Sequence, residues 1–214
     1  MTLLMAGLAV LGLVWGLVAD RIAARWPAHE DGSIRSVDWR TVVVALVGAL
    51  AMGLLGHRFP DAGSTLIYVL VFLALILLLA TDLDQRLLPD ELTLPFAGFA
   101  IVYGLLGLNP LIGHALPGAM LPALIGAIVI PAIFFVLSLP FGPGALGLGD
   151  VKLLFGVGLL AGLERTAFGV IVGVLISGVV IIALLVTRRI GLKSFIPYGP
   201  FLILGAFWAV LLQS

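Results

Sequence analysis

The sequence predicts an all-α membrane protein: a helical bundle of about eight transmembrane helices in one domain, residues 1–214. Of its residues, 62% are hydrophobic and only 10% are charged, whereas a soluble domain is about half apolar and about a quarter charged. Apolar runs of about 17–25 residues, long enough to cross a bilayer as helix, recur along the chain. No Ser/Gly linker, low-complexity tract or internal repeat divides it. We therefore expect a single compact domain embedded in the lipid bilayer.

The apolar runs define the candidate spans, which in chain order are 2–19, 41–56, 64–81, 92–108, 119–139, 151–163, 167–187 and 196–213. The sixth is short, and a sixth span that is re-entrant or fused with the seventh would reduce the count to seven. The first run has no basic segment before it, and its positive charges follow it. We therefore expect a retained helix rather than a signal peptide.

The composition also limits the chemistry. The formal net charge is zero, so nothing indicates nucleic-acid binding. The chain has no cysteine, which excludes disulfides, cysteine nucleophiles and cysteine-bound zinc. Its three histidines, His29, His57 and His114, are scattered. We therefore expect no metal site and no cofactor.

Basic residues predict the orientation, because short cytoplasmic loops are enriched in Lys and Arg. Nine of the eleven Lys and Arg residues lie in or beside the loops that follow odd-numbered spans, and only Arg58 and Arg165 lie on the other side. We therefore expect these odd-to-even loops in the cytoplasm and both termini outside. The first of them, residues 20–40, is short. On this topology Asp82 and Asp150 lie at the same membrane face.

The first acidic segment follows the third span. Asp82 directly ends the apolar run 66–80, where a carboxylate is partly removed from water. It is either a functional acid or a marker of the membrane boundary. Asp84, two residues on, is expected to be a solvated loop charge. Asp90 follows Pro89 and precedes a new helix, so it is expected to be an N-cap.

The second acidic segment reads Phe-Gly-Pro-Gly-Ala-Leu-Gly-Leu-Gly-Asp-Val-Lys over residues 141–152. Its glycines and proline interrupt the helix, and irregular backbone in a membrane persists only where protein or a water-filled cavity satisfies it. A functional site at Asp150 is one interpretation, and a flexible loop with Asp150 capping the next helix is the other. A phosphate-binding loop is disfavoured, because an acid at the helix start would repel the anion.

If Asp82 and Asp150 meet, they can perform the chemistry of an aspartic protease. Two carboxylates within a few ångströms cannot both ionise cheaply, so they share a proton. The ionised carboxylate then activates a water molecule, and the protonated one polarises the scissile carbonyl. This mechanism requires neither a metal nor a covalent intermediate.

Three segments, in order, resemble the type IV prepilin peptidase family of GxGD intramembrane aspartyl proteases. Residues 147–152, Gly-Leu-Gly-Asp-Val-Lys, resemble the family's GxGDxK signature. Residues 82–95 resemble its first aspartate segment, and residues 196–202 resemble its C-terminal PFGP stretch, with Tyr198 in place of Phe. The resemblance covers the chain from about residue 64 to the end.

The resemblance implies that Asp82 and Asp150 are catalytic and that Gly147 and Gly149 position backbone beside the second aspartate. Lys152 is expected to be an interfacial anchor, with a substrate contact as the alternative. The family acts at the cytoplasmic face of the bacterial inner membrane. Its substrates are prepilins or pseudopilins of type IV pili, type II secretion or competence filaments. It removes a short basic leader that precedes a hydrophobic helix.

The sequence departs from the family in the loop at residues 20–40. Many bacterial members carry paired CxxC zinc motifs there and also N-methylate the new N-terminus. This loop has no cysteine, so we expect neither zinc nor N-methyltransferase activity. A cysteine-free loop also resembles the archaeal preflagellin peptidases, whereas Pro-Tyr-Gly-Pro at residues 197–200 favours the bacterial branch.

A membrane protein without peptidase activity, such as a proton-linked transporter or an assembly scaffold, is the alternative function. Intramembrane acids also serve as proton relays. The acids of this chain, however, gather at one face, whereas transporters bind substrate near the midplane. No inverted repeat is evident in the sequence. The peptidase is therefore the preferred hypothesis.

Overall fold

The computed structural model describes residues 2–29, 32–59, 61–113, 120–141, 147–189, 191 and 197–212. In these residues the chain forms seven α-helices and one short 3-10 helix, Leu139–Phe141, with no β-strand. The helices are α1 (Thr2–Ala23), α2 (Trp39–Leu55), α3 (Ala62–Gln85), α4 (Asp90–Leu105), α5 (Met120–Ser138), α6 (Leu148–Val186) and α7 (Gly199–Leu211). The predicted all-α bundle is confirmed.

Four of these helices, α1, α3, α5 and α6, are long and apolar enough to cross a bilayer, and α2 and α7 are shorter apolar helices. The side chains that face outward from the bundle are themselves apolar: Leu50 is 67% exposed and Val179 is 69% exposed. Such an outer surface is stable against lipid and unfavourable in water. The chain is therefore a membrane protein.

The expected count of about eight spans exceeds the described helices by one, and the difference lies in α6. This helix covers both the sixth and the seventh predicted spans and is interrupted at Gly162, whose φ of 77° and ψ of 174° are not helical. Thr166 Oγ1 donates a hydrogen bond of 3.3 Å to the carbonyl oxygen of Val157. Nine residues of straight helix would separate these positions by about 13.5 Å. The chain therefore folds back at Gly162, where glycine tolerates the positive φ.

Close backbone approach holds several helix pairs together. A Cβ atom at Gly48 of α2 would lie 2.5 Å from the carbonyl oxygen of Gly12 in α1. A Cβ atom at Gly173 of α6 would lie 2.5 Å from the carbonyl oxygen of Phe201 in α7. Small residues allow such contacts, and helix association in lipid depends on packing more than on hydrophobic burial. Glycine at these positions therefore determines how closely the helices pack.

Four helix ends meet at one end of the bundle, toward which the second part of α6 returns after the fold-back at Gly162. The C-terminus of α3 meets the N-termini of α4, α6 and α7 there: Gly199 lies against Asp82, and Lys152 pairs with Asp90. At the opposite end, Arg58 Nε donates a hydrogen bond of 3.1 Å to the carbonyl oxygen of Val210, and Arg165 donates one to that of Leu212. Both arginines cap the C-terminus of α7. They lie away from the aspartates, at the end that the charge distribution predicts.

Candidate active site

Asp82 lies in the last turn of α3 and is 4% exposed. The helix ends because Arg86 adopts the left-handed conformation, with φ of 56°, while its N–H still donates to the carbonyl oxygen of Asp82 at 2.9 Å. Within the described residues, the buried Oδ2 atom of Asp82 has no hydrogen-bond partner. An unpaired buried carboxylate oxygen is costly, so this oxygen contributes no structural hydrogen bond to the fold.

Asp150 lies in the first turn of α6 and is 9% exposed. Its Oδ2 accepts a hydrogen bond of 3.1 Å from the backbone N–H of Gly147, the N-cap residue. The capping role considered from the sequence is therefore present, and it holds the carboxyl group in one orientation. The preceding residues 142–146, which supply part of the glycine-rich segment, lie outside the described residues.

Gly149 brings the start of α6 against the segment that follows α3. A Cβ atom at this position would lie 2.8 Å from Leu88 Cβ and 3.2 Å from the Leu88 carbonyl oxygen. Both contacts are shorter than ordinary van der Waals separation. The absence of a side chain therefore lets the two aspartate segments approach each other.

Both aspartates line one cavity of about 590 Å³, which we call the acid cavity. Gly147, Gly149 and Lys152 line the same cavity, so the structure brings together all five residues that the sequence singled out. A cleft of this size is within the range of about 300–1,000 Å³ that is typical of binding sites.

The N-terminus of α7 packs directly against Asp82. A Cβ atom at Gly199 would lie 2.6 Å from Cγ and 2.7 Å from Oδ1 of Asp82, and closer still to Oδ2. The sequence motif at residues 196–202 assigned no role to Gly199, because nothing local indicates which side chain it touches. Ile196, the first residue of that motif, lies outside the described residues.

Comparison with known proteins agrees with this geometry. The model of the type IV leader peptidase family matches residues 68–186, a stretch that contains both aspartates. This chain belongs to the type IV leader peptidase family. The resemblance that the motifs indicated is therefore confirmed.

Curated relatives of this family member carry the name prepilin leader peptidase/N-methyltransferase. The protein of Aeromonas salmonicida strain A449 is 30% identical over 180 residues, which cover 84% of this chain and 60% of the relative. The Aeromonas hydrophila protein is 31% identical over 172 residues, 80% of this chain and 58% of the relative. The Pseudomonas putida protein is 25% identical over 192 residues, 90% of this chain and 60% of the relative. The chain thus spans about 60% of their length. No solved structure matches it.

In this leader peptidase family member, Asp84 is not the solvated charge that the sequence suggested. Its side chain is 1% exposed and forms ion pairs with Arg35 at 2.5 Å and with Arg40 at 3.0 Å. Nε2 of His29 lies 3.1 Å from its Oδ2. The prediction was wrong because Arg35, between α1 and α2, and Arg40, in the first turn of α2, lie against the end of α3.

The same ion-pair network includes Asp20, near the end of α1, which is completely buried. Its carboxylate pairs with Arg21 and Arg35 and accepts a hydrogen bond of 2.7 Å from Thr41 Oγ1. Arg35 thus bridges Asp20 and Asp84. A buried carboxylate is stable only with such partners. The network therefore fixes the loop between α1 and α2 to both α1 and α3.

The loop also reaches the acid cavity. Gln85 Nε2 donates a hydrogen bond of 2.7 Å to the carbonyl oxygen of Pro27, and Pro27 is one of the residues that line the cavity. The short loop between α1 and α2 therefore forms part of the wall of the candidate site. The arginines of this loop indicated orientation in the sequence, but nothing local indicated which acids they pair with.

Asp90 does not cap α4, contrary to the sequence-based expectation. Pro89 occupies the N-cap position, and Asp90 is the first residue of the helix. The Asp90 carboxylate accepts a hydrogen bond of 2.6 Å from Lys152 Nζ. Lys152 can reach Asp90 because α6 begins beside α4. Their ion pair links the two helices at the rim of the acid cavity. Across the described residues, no group of three His, Asp or Glu side chains is arranged to hold a metal ion.

Proposed function

We propose that this chain is an intramembrane aspartic endopeptidase in which Asp82 and Asp150 together activate water. The observation that carries the proposal is that two buried carboxyl groups, 68 residues apart in sequence, line one cavity. No cysteine is present to act as nucleophile. A pair of carboxyl groups that share one proton is sufficient for peptide hydrolysis.

In the proposed reaction, the ionised carboxylate accepts a proton from water as the water oxygen bonds to the scissile carbonyl carbon. The protonated carboxyl group transfers its proton to the carbonyl oxygen, which gives a neutral tetrahedral diol. The diol then collapses: one of its hydroxyl groups gives its proton to the carboxyl group that had become ionised, the C–N bond breaks, and the amine takes the proton that the other carboxyl group had accepted from water. At the end of the cycle one carboxyl group is again protonated and the other is again ionised.

The residues around the pair have positioning roles in this proposal. Gly147 orients Asp150 through its backbone N–H, and Gly149 permits the close approach of the two aspartate segments. The open glycine backbone offers an edge against which an extended peptide can lie. Lys152 and Asp90 form the rim of the cavity.

The proposed substrates are prepilins or pseudopilins, from which the enzyme removes a basic leader that precedes a hydrophobic helix. Support comes from the family and from the relatives named prepilin leader peptidase/N-methyltransferase. The proposed location is the bacterial inner membrane, with the acid cavity at the cytoplasmic face and both termini outside. The ion-pair network of the first loop lies at the cavity end, as the positive-inside rule requires of a cytoplasmic face.

We propose no N-methyltransferase activity for this chain, as the sequence led us to expect. The relatives' names include this activity, whereas residues 20–40 of this chain contain no cysteine with which to bind zinc. The alternative of a transporter is not favoured, because the catalytic candidates lie together at one end of the bundle rather than midway along it.

Cleavage of a purified prepilin with a Gly–Phe junction tests the proposal, with the shortened product detected by gel shift. We expect Asp82→Asn and Asp150→Asn each to lower the rate by at least about 10²-fold to 10⁴-fold, the usual contribution of an acid–base group. Asp61→Asn is the matched control, because Asp61 is exposed and caps the other end of α3. Normal processing by either active-site variant would refute the mechanism.

A further inference from the structure

A groove open to the side of the bundle begins next to the acid cavity. It lies between α4, α5 and α6 and has a volume of about 440 Å³. Lys152 lines both the groove and the acid cavity. Val151, the residue bonded to Asp150, also lines the groove. The groove therefore starts at the level of the second aspartate; we call it the α4–α6 groove.

The α4–α6 groove has a floor of small residues and rims of large apolar ones. Ala97 and Ala127 on the floor are buried, whereas Leu94, Ile128 and Phe135 on the rims are exposed. In lipid, small residues allow another helix backbone to approach closely, and the rims then pack on its sides. This shape fits an apolar helix that enters from the bilayer.

The groove extends from the level of the aspartates toward the middle of the membrane. Phe135 lines it near the end of α5, and Ala127 lines it eight residues earlier, about 12 Å along the helix axis. Ala127 packs against Gly158, beyond the groove residues of α6, because a Cβ atom at Gly158 would lie 2.5 Å from Ala127 Cα. The groove thus offers room for about two turns of helix below the acid cavity.

We propose that the α4–α6 groove binds the membrane-spanning helix of the substrate, immediately beyond the scissile bond. The inference rests on the proposed function, which requires that an apolar helix begin beside the two aspartates. A helix seated in the groove would start at Val151 and run antiparallel to α5. The extended segment before it would then lie in the acid cavity.

A second apolar groove lies between α3 and α4, but it fits this role less well. Its volume is about 240 Å³, roughly half that of the α4–α6 groove. It joins the acid cavity at Glu91, nine residues from Asp82, whereas the α4–α6 groove begins at Val151, which is bonded to Asp150. We therefore assign the substrate helix to the α4–α6 groove and use the α3–α4 groove as a control.

Disulfide cross-linking tests the assignment directly, because the chain contains no cysteine. Single cysteines are placed at Ile128 or Phe135 in the Asp150→Asn background, which keeps the substrate intact. Controls carry the cysteine at Leu70 in the α3–α4 groove or at Leu50 on the outer face of α2, both well exposed. Each variant is reconstituted in vesicles with a prepilin that carries one cysteine at successive positions of its apolar helix, and adducts are read on non-reducing gels after oxidation.

We expect strong adducts from Phe135→Cys with substrate positions close to the junction. Ile128→Cys should react with positions about seven residues farther along, because the two helices run antiparallel at equal rise. Three outcomes would overturn the groove assignment but not the proposed function. They are the strongest adducts at Leu70→Cys, equal yields at all sites, or no adduct with a prepilin that the parent protein cleaves. Failure of the parent protein to cleave would overturn the proposed function.

Filling the groove gives a second test with a kinetic readout. Ala132 lines the groove, whereas its exposed neighbour Ile133 does not. We expect Ala132→Phe to raise KM for the full prepilin about tenfold, with kcat unchanged. Ile133→Phe should leave KM unchanged, and so should Ala132→Phe with a short soluble peptide that ends before the apolar helix. An equal effect of Ala132→Phe on both substrates would contradict the proposal.

Discussion

Replacement of Gly199 by alanine would place a methyl group against the carboxyl group of Asp82. The new Cβ atom would lie 2.6 Å from Cγ and 2.7 Å from Oδ1, whereas carbon atoms in contact are normally about 3.5 Å apart. Either the carboxyl group or the start of α7 must therefore move by about 1 Å. A displacement of about 1 Å in a catalytic group can lower the rate about 10²-fold.

We expect Gly199→Ala to lower kcat for prepilin cleavage about 100-fold and to leave KM within about twofold, because the substrate-binding surfaces are unchanged. Initial rates over a range of prepilin concentrations, in vesicles, separate the two parameters. Thermal unfolding, followed in parallel, should show an intact bundle, since alanine at the first residue of α7 does not disfavour the helix.

Gly98→Ala in α4 is the matched control, because nothing lies within 4 Å of a Cβ atom at that position. It introduces the same methyl group into a helix without touching the acid cavity and should retain the parent kcat. A Gly199→Ala variant with kcat within about twofold of the parent would refute the argument that Gly199 positions Asp82.

Three further substitutions follow from the contacts of the fold. Asp84→Asn should destabilise the protein by about 3 kcal/mol, because it removes the buried negative charge that Arg35 and Arg40 share; thermal unfolding measures the loss. Gly162→Ala should cost about 1–2 kcal/mol by the same measurement, because alanine disfavours the positive φ at the fold-back of α6. Lys152→Met should change stability by less than about 1 kcal/mol, because its ion pair with Asp90 is partly exposed; a double-mutant cycle with Asp90→Asn measures the coupling.

Each of these predictions has its own contradicting outcome. An unfolding temperature of Asp84→Asn equal to that of the parent would argue against the buried network. A Gly162→Ala variant as stable as Gly178→Ala, where a Cβ atom meets only open space, would argue against the fold-back. A coupling energy between Lys152 and Asp90 well above about 1 kcal/mol would show that their ion pair stabilises the join of α4 and α6 more than its exposure suggests.

The ion-pair network of the first loop suggests how a short, cysteine-free loop can still complete the candidate site. Asp20 and Asp84 anchor the loop through Arg35, and Gln85 holds Pro27 at the wall of the acid cavity. In this chain the fixed charges provide cross-links between α1, α3 and the loop. The position of this wall of the acid cavity therefore depends on buried ion pairs.

Composition and run length alone predicted the all-α membrane class, because backbone groups in lipid must be satisfied within helices. Motif order and the distribution of Lys and Arg placed Asp82 and Asp150 at one end of the bundle, since helix direction alternates from span to span. These properties depend on local sequence and on the bilayer, so they could be read along the chain.

Other features depend on contacts between distant segments, and only the tertiary structure decided them. The burial of Asp84 follows from how the first loop folds, and the packing of Gly199 on Asp82 follows from where α7 begins. The pairing of Asp90 with Lys152 likewise requires α4 and α6 to start side by side. In each case a side chain's environment is set by a neighbour far along the chain, and no local pattern identifies that neighbour.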